Sequence, residues 1–188
     1  MDANNHLYHR YLLSARANTV SSKISSVPKF TRRASITETQ VQDKRGFFVL
    51  PQRYEGGGYY TYGTPGNGQG QYAHPNMITL LLLIGYQWCQ RDKRKFGVGN
   101  ISLADGAEFK PHRSHRNGLQ VDVRAIRKDG CQKSCGISDA QYDREATAEL
   151  IGLFQRHPYV RSVLFNDASI PGVQRTAGHN DHFHIDLR

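Results

Sequence analysis

His182-Phe183-His184-Ile185-Asp186-Leu187 is the stretch that decides how this chain is read. Apolar Phe183, Ile185 and Leu187 alternate with His182, His184 and Asp186. A period of two describes a half-buried strand, so both histidines project from one polar face. The same alternation runs through Leu119-Gln120-Val121-Asp122-Val123-Arg124-Ala125-Ile126. There Leu119, Val121, Val123 and Ala125 point to a core, and Asp122 and Arg124 point outward. Two such strands lying side by side would bring imidazole and carboxylate groups onto one surface.

Gly178-His179-Asn180-Asp181 precedes the first stretch, and His112-Arg113-Ser114-His115-Arg116-Asn117-Gly118 precedes the second. Asn117-Gly118 is a turn signal, which lets His115 fold back beside Asp122. Five of the chain's nine histidines therefore fall in two short clusters. Neutral imidazole and carboxylate are donors that zinc prefers. A hydrogen-bonded or solvated histidine cluster is the alternative, and HxH alone is common. The conjunction of HxxH, six residues, Asp and a later HxxHxH is much rarer, and it points to a zinc hydrolase site. No HExxH helix occurs, so a histidine must act as base, or the zinc must suffice.

The remaining elements come from pattern. Pro75 opens a helix over Asn76–Lys93 that ends in the basic run RDKRK, which suits a helix C-terminus. A second helix is predicted over Asp139–Arg156, with Ala146, Leu150, Leu153 and Phe154 near helical spacing and Pro158 beyond its end. Strands are predicted at Gly46–Gln52, Val98–Leu103, Val160–Phe165 and the two histidine- and aspartate-bearing segments. This order gives an α+β domain on a small, mainly antiparallel sheet with flanking helices and long loops, its zinc site on the sheet face. Residues 1–45 are Ser-, Thr- and Arg-rich with little periodicity and read as an arm or tether, or a solvated tail; 46–188 form the catalytic domain. The Gly- and Tyr-rich stretch EGGGYYTYGTPGNGQGQ is a loop whose Tyr59, Tyr60 and Tyr62 either stack on substrate or pack the loop down.

Composition narrows the class. At 188 residues the chain is one domain by size, with room for a core. Its formal charge of +9 favours an anionic partner, either nucleic acid or a carboxylate-rich bacterial wall. The arginines are scattered and no helix interleaves them with aromatics, which argues against nucleic acid. The longest apolar run, Met77–Ile84, falls far short of the ~20 residues of a membrane span, and no secretory signal is evident. Cys131 and Cys135 suit a small disulfide or free thiols better than a zinc site, and Cys89 reads as a small buried hydrophobe.

The two histidine segments resemble those of the penicillin-insensitive murein endopeptidases. These are zinc peptidases of the wider group that includes the D-alanyl-D-alanine metallopeptidases and the lysostaphin-type enzymes. The family's SHxxGLxVD, preceded by a histidine, is similar to residues 112–122, and its GHxxHFHxRL to residues 178–187. The family's HP-then-helix element is similar to His74-Pro75 and the apolar segment that begins at Asn76. The resemblance covers about residues 56–188 and is specific in the two metal segments. Two positions depart from it: Gln120 stands where the family often has Asp, and Asp186 replaces the usual Arg.

The resemblance implies that His115, Asp122 and His184 bind Zn2+, with water in the fourth position. It implies His182 as base or transition-state stabiliser. His179 and His112 would then line the pocket and donate to an oxyanion or a substrate carboxylate. It further implies peptidoglycan as partner and hydrolysis of peptide cross-links, D-alanine to meso-diaminopimelate, in the periplasm or cell wall. Delivery would be by secretion machinery or phage lysis. An injected toxin would meet a cognate immunity protein. The alternatives are a D,D-carboxypeptidase or L,D-cleaving peptidase of the same group, a binding module with a degenerate site, and a metal-dependent nuclease. The complete donor set argues against the degenerate module, and the spacing lacks a ββα-metal motif.

Overall fold

A computed structural model of the protein describes residues 42–52 and 57–188. The arm expected over 1–45 lies outside the described residues except for 42–45. Those four already belong to the fold: Asp43 accepts from the backbone amides of Arg45 and Phe47, and Arg45 donates to Ser102 and to the Leu103 carbonyl.

The described chain runs β1 (Phe48–Val49), β2 (Tyr59–Thr61), β3 (Tyr72–Ala73), α1 (Pro75–Cys89), β4 (Phe96–Val98), β5 (Gln120–Arg124), α2 (Arg144–Gln155), β6 (Val160–Leu164) and β7 (His182–Leu187). Strands β1 and β3 pair alone, and the other five form a sheet in the order β2-β4-β5-β7-β6. Every pairing in that sheet is antiparallel except β2 with β4, which is parallel. The architecture is thus the expected α+β one. The parallel pair is a crossover through α1 that periodicity could not foretell.

One face of the sheet meets the helices. Helix α1 buries Met77, Leu80, Leu81, Ile84, Gly85 and Trp88, a stripe at helical spacing. Phe154 of α2 packs edge-on against Phe96 and Phe183, at 6.2 and 5.9 Å between ring centroids. Val121, Val123, Phe183 and Ile185 are fully buried on this side.

Several predicted boundaries move, each for a local reason. Helix α1 stops at Cys89, not Lys93, because Asp92 caps the Arg94 amide at 2.8 Å and the Trp88 indole donates to the Arg94 carbonyl at 2.6 Å, turning the chain back. The basic run therefore lies beyond the helix, where Arg94 pairs with Asp92 and Asp143. Helix α2 starts at Arg144, not Asp139, because Asp143 accepts from the Ala146 amide as N-cap. Asp139 instead closes a turn by accepting from the Gly136 amide. Strand pairing over 46–52 is confined to Phe48–Val49, and β4 ends at Val98.

Candidate metal centre

The face of the sheet turned away from the helices carries Asp122 and Arg124 of β5 and His182 and His184 of β7. The register sets Asp122 opposite His184 and Arg124 opposite His182. This face is not open to solvent at its centre, as outward-pointing side chains would suggest. Asp122 is only 5% exposed and His184 6%, because the segment between β4 and β5 folds over them.

That segment returns through the expected Asn117-Gly118 turn. The Asn117 side chain accepts from the Leu119 amide at 3.0 Å, and Gly118 adopts a φ of 69°. A Cβ on Gly118 would lie 2.7 Å from the His74 amide nitrogen and 3.0 Å from the Phe47 ring, so the turn requires glycine twice over. His74 itself caps α1, its Nδ1 accepting from the Asn76 amide. The turn delivers His115 to the sheet face, where it is 3% exposed and lies beside Phe109.

Three donor atoms then converge. His115 Nε2 is 3.1 Å from His184 Nδ1 and 3.3 Å from Asp122 Oδ1, and His184 Nδ1 is 3.0 Å from that oxygen. Donors on a tetrahedral ion with bonds of 2.0–2.1 Å stand about 3.3 Å apart, so this triangle has the edge of a zinc site. Protonation agrees. The Ile101 carbonyl, 3.2 Å away, takes a hydrogen from His115 Nδ1, which leaves Nε2 as a bare lone pair facing the others. Electron-rich atoms packed this closely fit a cation.

His112 joins the cluster. It, His115 and Asp122 offer ligand atoms within 4.8 Å of one another, enough to hold a metal ion. Its Nδ1 is 3.6 Å from Asp122 Oδ2, outside the tight triangle. Asn100 accounts for this ring. The Thr64 backbone amide donates to Asn100 Oδ1 at 2.7 Å, which fixes the side-chain amide so that Nδ2 donates to His112 Nε2, also at 2.7 Å. The His112 proton must then sit on Nδ1, aimed into the site. Burial lowers its pKa, so the ring is neutral at pH 7. A cavity of about 440 Å³ opens at His112 and Asn100, walled by Phe109, Pro65 and Leu103.

His182 Nε2 stands 3.8 Å from Asp122 Oδ1, while its Nδ1 donates to Asp181 at 2.8 Å. Asp181 is held in turn by the Ser134 hydroxyl at 2.6 Å. His179 offers the opposite polarity to His112. Its Nδ1 donates to the carbonyls of Thr176 and Ala177, both at 3.2 Å, so Nε2 accepts rather than donates. Burial is the main reason its pKa is also lowered.

The tyrosines divide. Of the two readings for Tyr59, stacking on substrate or packing the loop down, the structure takes the second: it is a core residue, 2% exposed, with its hydroxyl donating to the Pro51 carbonyl and its ring against Phe96. Tyr60 and Tyr62 lie half-buried across β4 and the chain just beyond it. Cys131 and Cys135 are free thiols, the first exposed and the second buried. Cys89 is half-exposed rather than buried, its thiol donating to the Tyr86 carbonyl. The sequence reading missed Asn100, Ser134 and Asp181. Of these only Asp181 carried a signal, as the acid adjoining His182.

The two departures from the family pattern face each other. Gln120 and Asp186 are cross-strand partners, and Arg161 of β6 makes the ion pair with Asp186. Where the family would set Asp against Arg across β5 and β7, this chain takes its arginine from the next strand. Gln120 Oε1 is left buried without a hydrogen-bond partner among the described residues.

No helix among the described residues is long and apolar enough to cross a membrane. No curated protein matches the chain significantly. Residues 54–168, more than half of the chain, match the penicillin-insensitive murein endopeptidase family. The match takes in His112, His115 and Asp122 and stops before β7, whose histidines the fold brings to the same point. With a His-His-Asp cluster fit for a metal, the chain is a metallopeptidase and belongs to the penicillin-insensitive murein endopeptidase family.

Proposed function

We propose that the protein is a zinc-dependent endopeptidase that hydrolyses the peptide cross-links of peptidoglycan, between D-alanine and meso-diaminopimelate, and acts at the bacterial wall. The observation that carries this reading is the triangle of His115, Asp122 and His184 donors beside the Asp181–His182 pair. Zinc held there would polarise the scissile carbonyl and lower the pKa of a water to about 7.

The protein's own groups supply the rest. His182, its Nδ1 fixed by Asp181, presents a bare Nε2 to take the attacking water's proton and pass it to the leaving amine. His112 presents Nδ1–H toward the site and can donate to the oxygen that gains charge. His179 Nε2 can accept from a substrate N–H at the cleft edge.

The test is digestion of purified cross-linked muropeptide dimers by the zinc-loaded protein, read by mass spectrometry. Monomers are the expected product. Loss of a terminal alanine instead would mark a carboxypeptidase, a cut elsewhere in the stem an L,D-peptidase. Unchanged dimers with folded, zinc-loaded protein would refute the reading.

A further inference from the structure

Arg124 has no role in the chemistry above, yet it sits two residues beyond Asp122 on the same face of β5 and directly opposite His182. Its guanidinium lies 3.8 Å over the Tyr62 ring, and one nitrogen donates to the Gln132 carbonyl at 3.1 Å. Among the described residues no carboxylate pairs with it. Tyr62 reaches it by crossing at Gly99, where a Cβ would lie 2.5 Å from the ring. Burial, and next the charge of Asp122, push the Tyr62 pKa well above its usual value, so the phenol stays neutral. A half-buried guanidinium is thus clamped on a flat ring with several N–H donors unused, the form that reads carboxylates with two parallel bonds.

Its position says which carboxylate. His182 must deliver a proton to the leaving amine, so that nitrogen comes to rest beside His182 Nε2. Arg124, the cross-strand partner of His182 on this face, is the cation placed beside the groups that the carbon attached to that nitrogen would carry. Resting on the endopeptidase reading, we infer that Arg124 binds a free carboxylate borne by the carbon next to the scissile amide nitrogen, with Tyr62 as its positioning residue. The substrate class is a peptide cross-link whose leaving residue keeps its carboxylate unblocked.

The experiment compares two cross-linked muropeptide dimers, one with that carboxylate free and one with it amidated. Steady-state kinetics with zinc-loaded protein are paired with calorimetric binding to the His182→Ala variant, which binds without cutting. Wild type is expected to favour the free acid about 10- to 100-fold, mostly in KM and in affinity. Arg124→Gln should erase that preference with zinc content unchanged, Arg124→Lys should retain part of it, and Tyr62→Phe should retain nearly all. Equal use of both dimers by wild type overturns the inference and leaves the endopeptidase reading standing. So does a preference that survives Arg124→Gln, or loss of zinc in that variant. Failure of wild type to cut either dimer overturns both.

Discussion

At the scale of single residues, the site separates groups that would hold metal from groups that would move protons. His115→Ala, Asp122→Ala and His184→Ala should each abolish stoichiometric zinc by elemental analysis, because His112, its proton held on Nδ1 by Asn100, cannot stand in for a lost donor. His182→Ala should keep its zinc and lose about 10²–10⁴-fold in turnover. Near-normal turnover there would remove His182 from the chemistry. Asn100→Ala frees the His112 ring to take the other tautomer. Turnover should fall about 10- to 100-fold while zinc stays bound, and unchanged turnover would show that the tautomer is immaterial. Arg161 is exposed but Asp186 is buried, so Arg161→Ala strands a buried carboxylate and should cost about 1–3 kcal/mol in denaturant unfolding. Adding Gln120→Asp and Asp186→Arg to that variant should restore most of the loss by rebuilding the pair between β5 and β7. Why these partners escaped the sequence reading is physical. Asn100, Ser134 and Arg161 act through hydrogen bonds to residues 12, 47 and 25 positions away, and no local period records such distances.

At the scale of elements, alternation in β5 and β7 was legible because burial of one sheet face forces it. The apolar stripe of α1 was legible for the same reason. Helix ends were not, since Asp92 and Asp143 settle them by side-chain capping, and an aspartate reads alike in a cap, a turn or a surface. Tyr59 could not be assigned from sequence because a tyrosine beside glycines looks the same whether its ring faces a cleft or a core. The Asn117-Gly118 turn was legible, and it sets a test. Gly118→Ala forces a left-handed φ on alanine and a clash with His74, so it should destabilise by about 1–3 kcal/mol. Because the turn carries His115, zinc affinity should weaken with it. A variant of full stability and full zinc affinity would show that the loop finds another path.

At the scale of the whole molecule, acid should act before any carboxylate titrates. His112, His157 and His179 all have pKa values below the ordinary 6.5, chiefly through burial. The unfolded chain therefore binds more protons as pH falls below about 6.5, and stability present above that pH is lost through the folded values. The melting temperature of metal-free protein should drop between about pH 7 and 5, and His157→Gln, outside the metal cluster, should make the drop shallower. A flat profile would contradict the burial of these rings. Zinc should raise the melting temperature, since the unfolded chain offers no preformed triangle. The triangle also has a history in time. Asp122 and His184 are 62 positions apart, and β7 slots between β5 and β6 rather than at an edge. Such non-local pairing comes late in folding. The triangle is complete only once β7 docks, so the colour of a cobalt ion held by all three donors would serve as a clock for that docking.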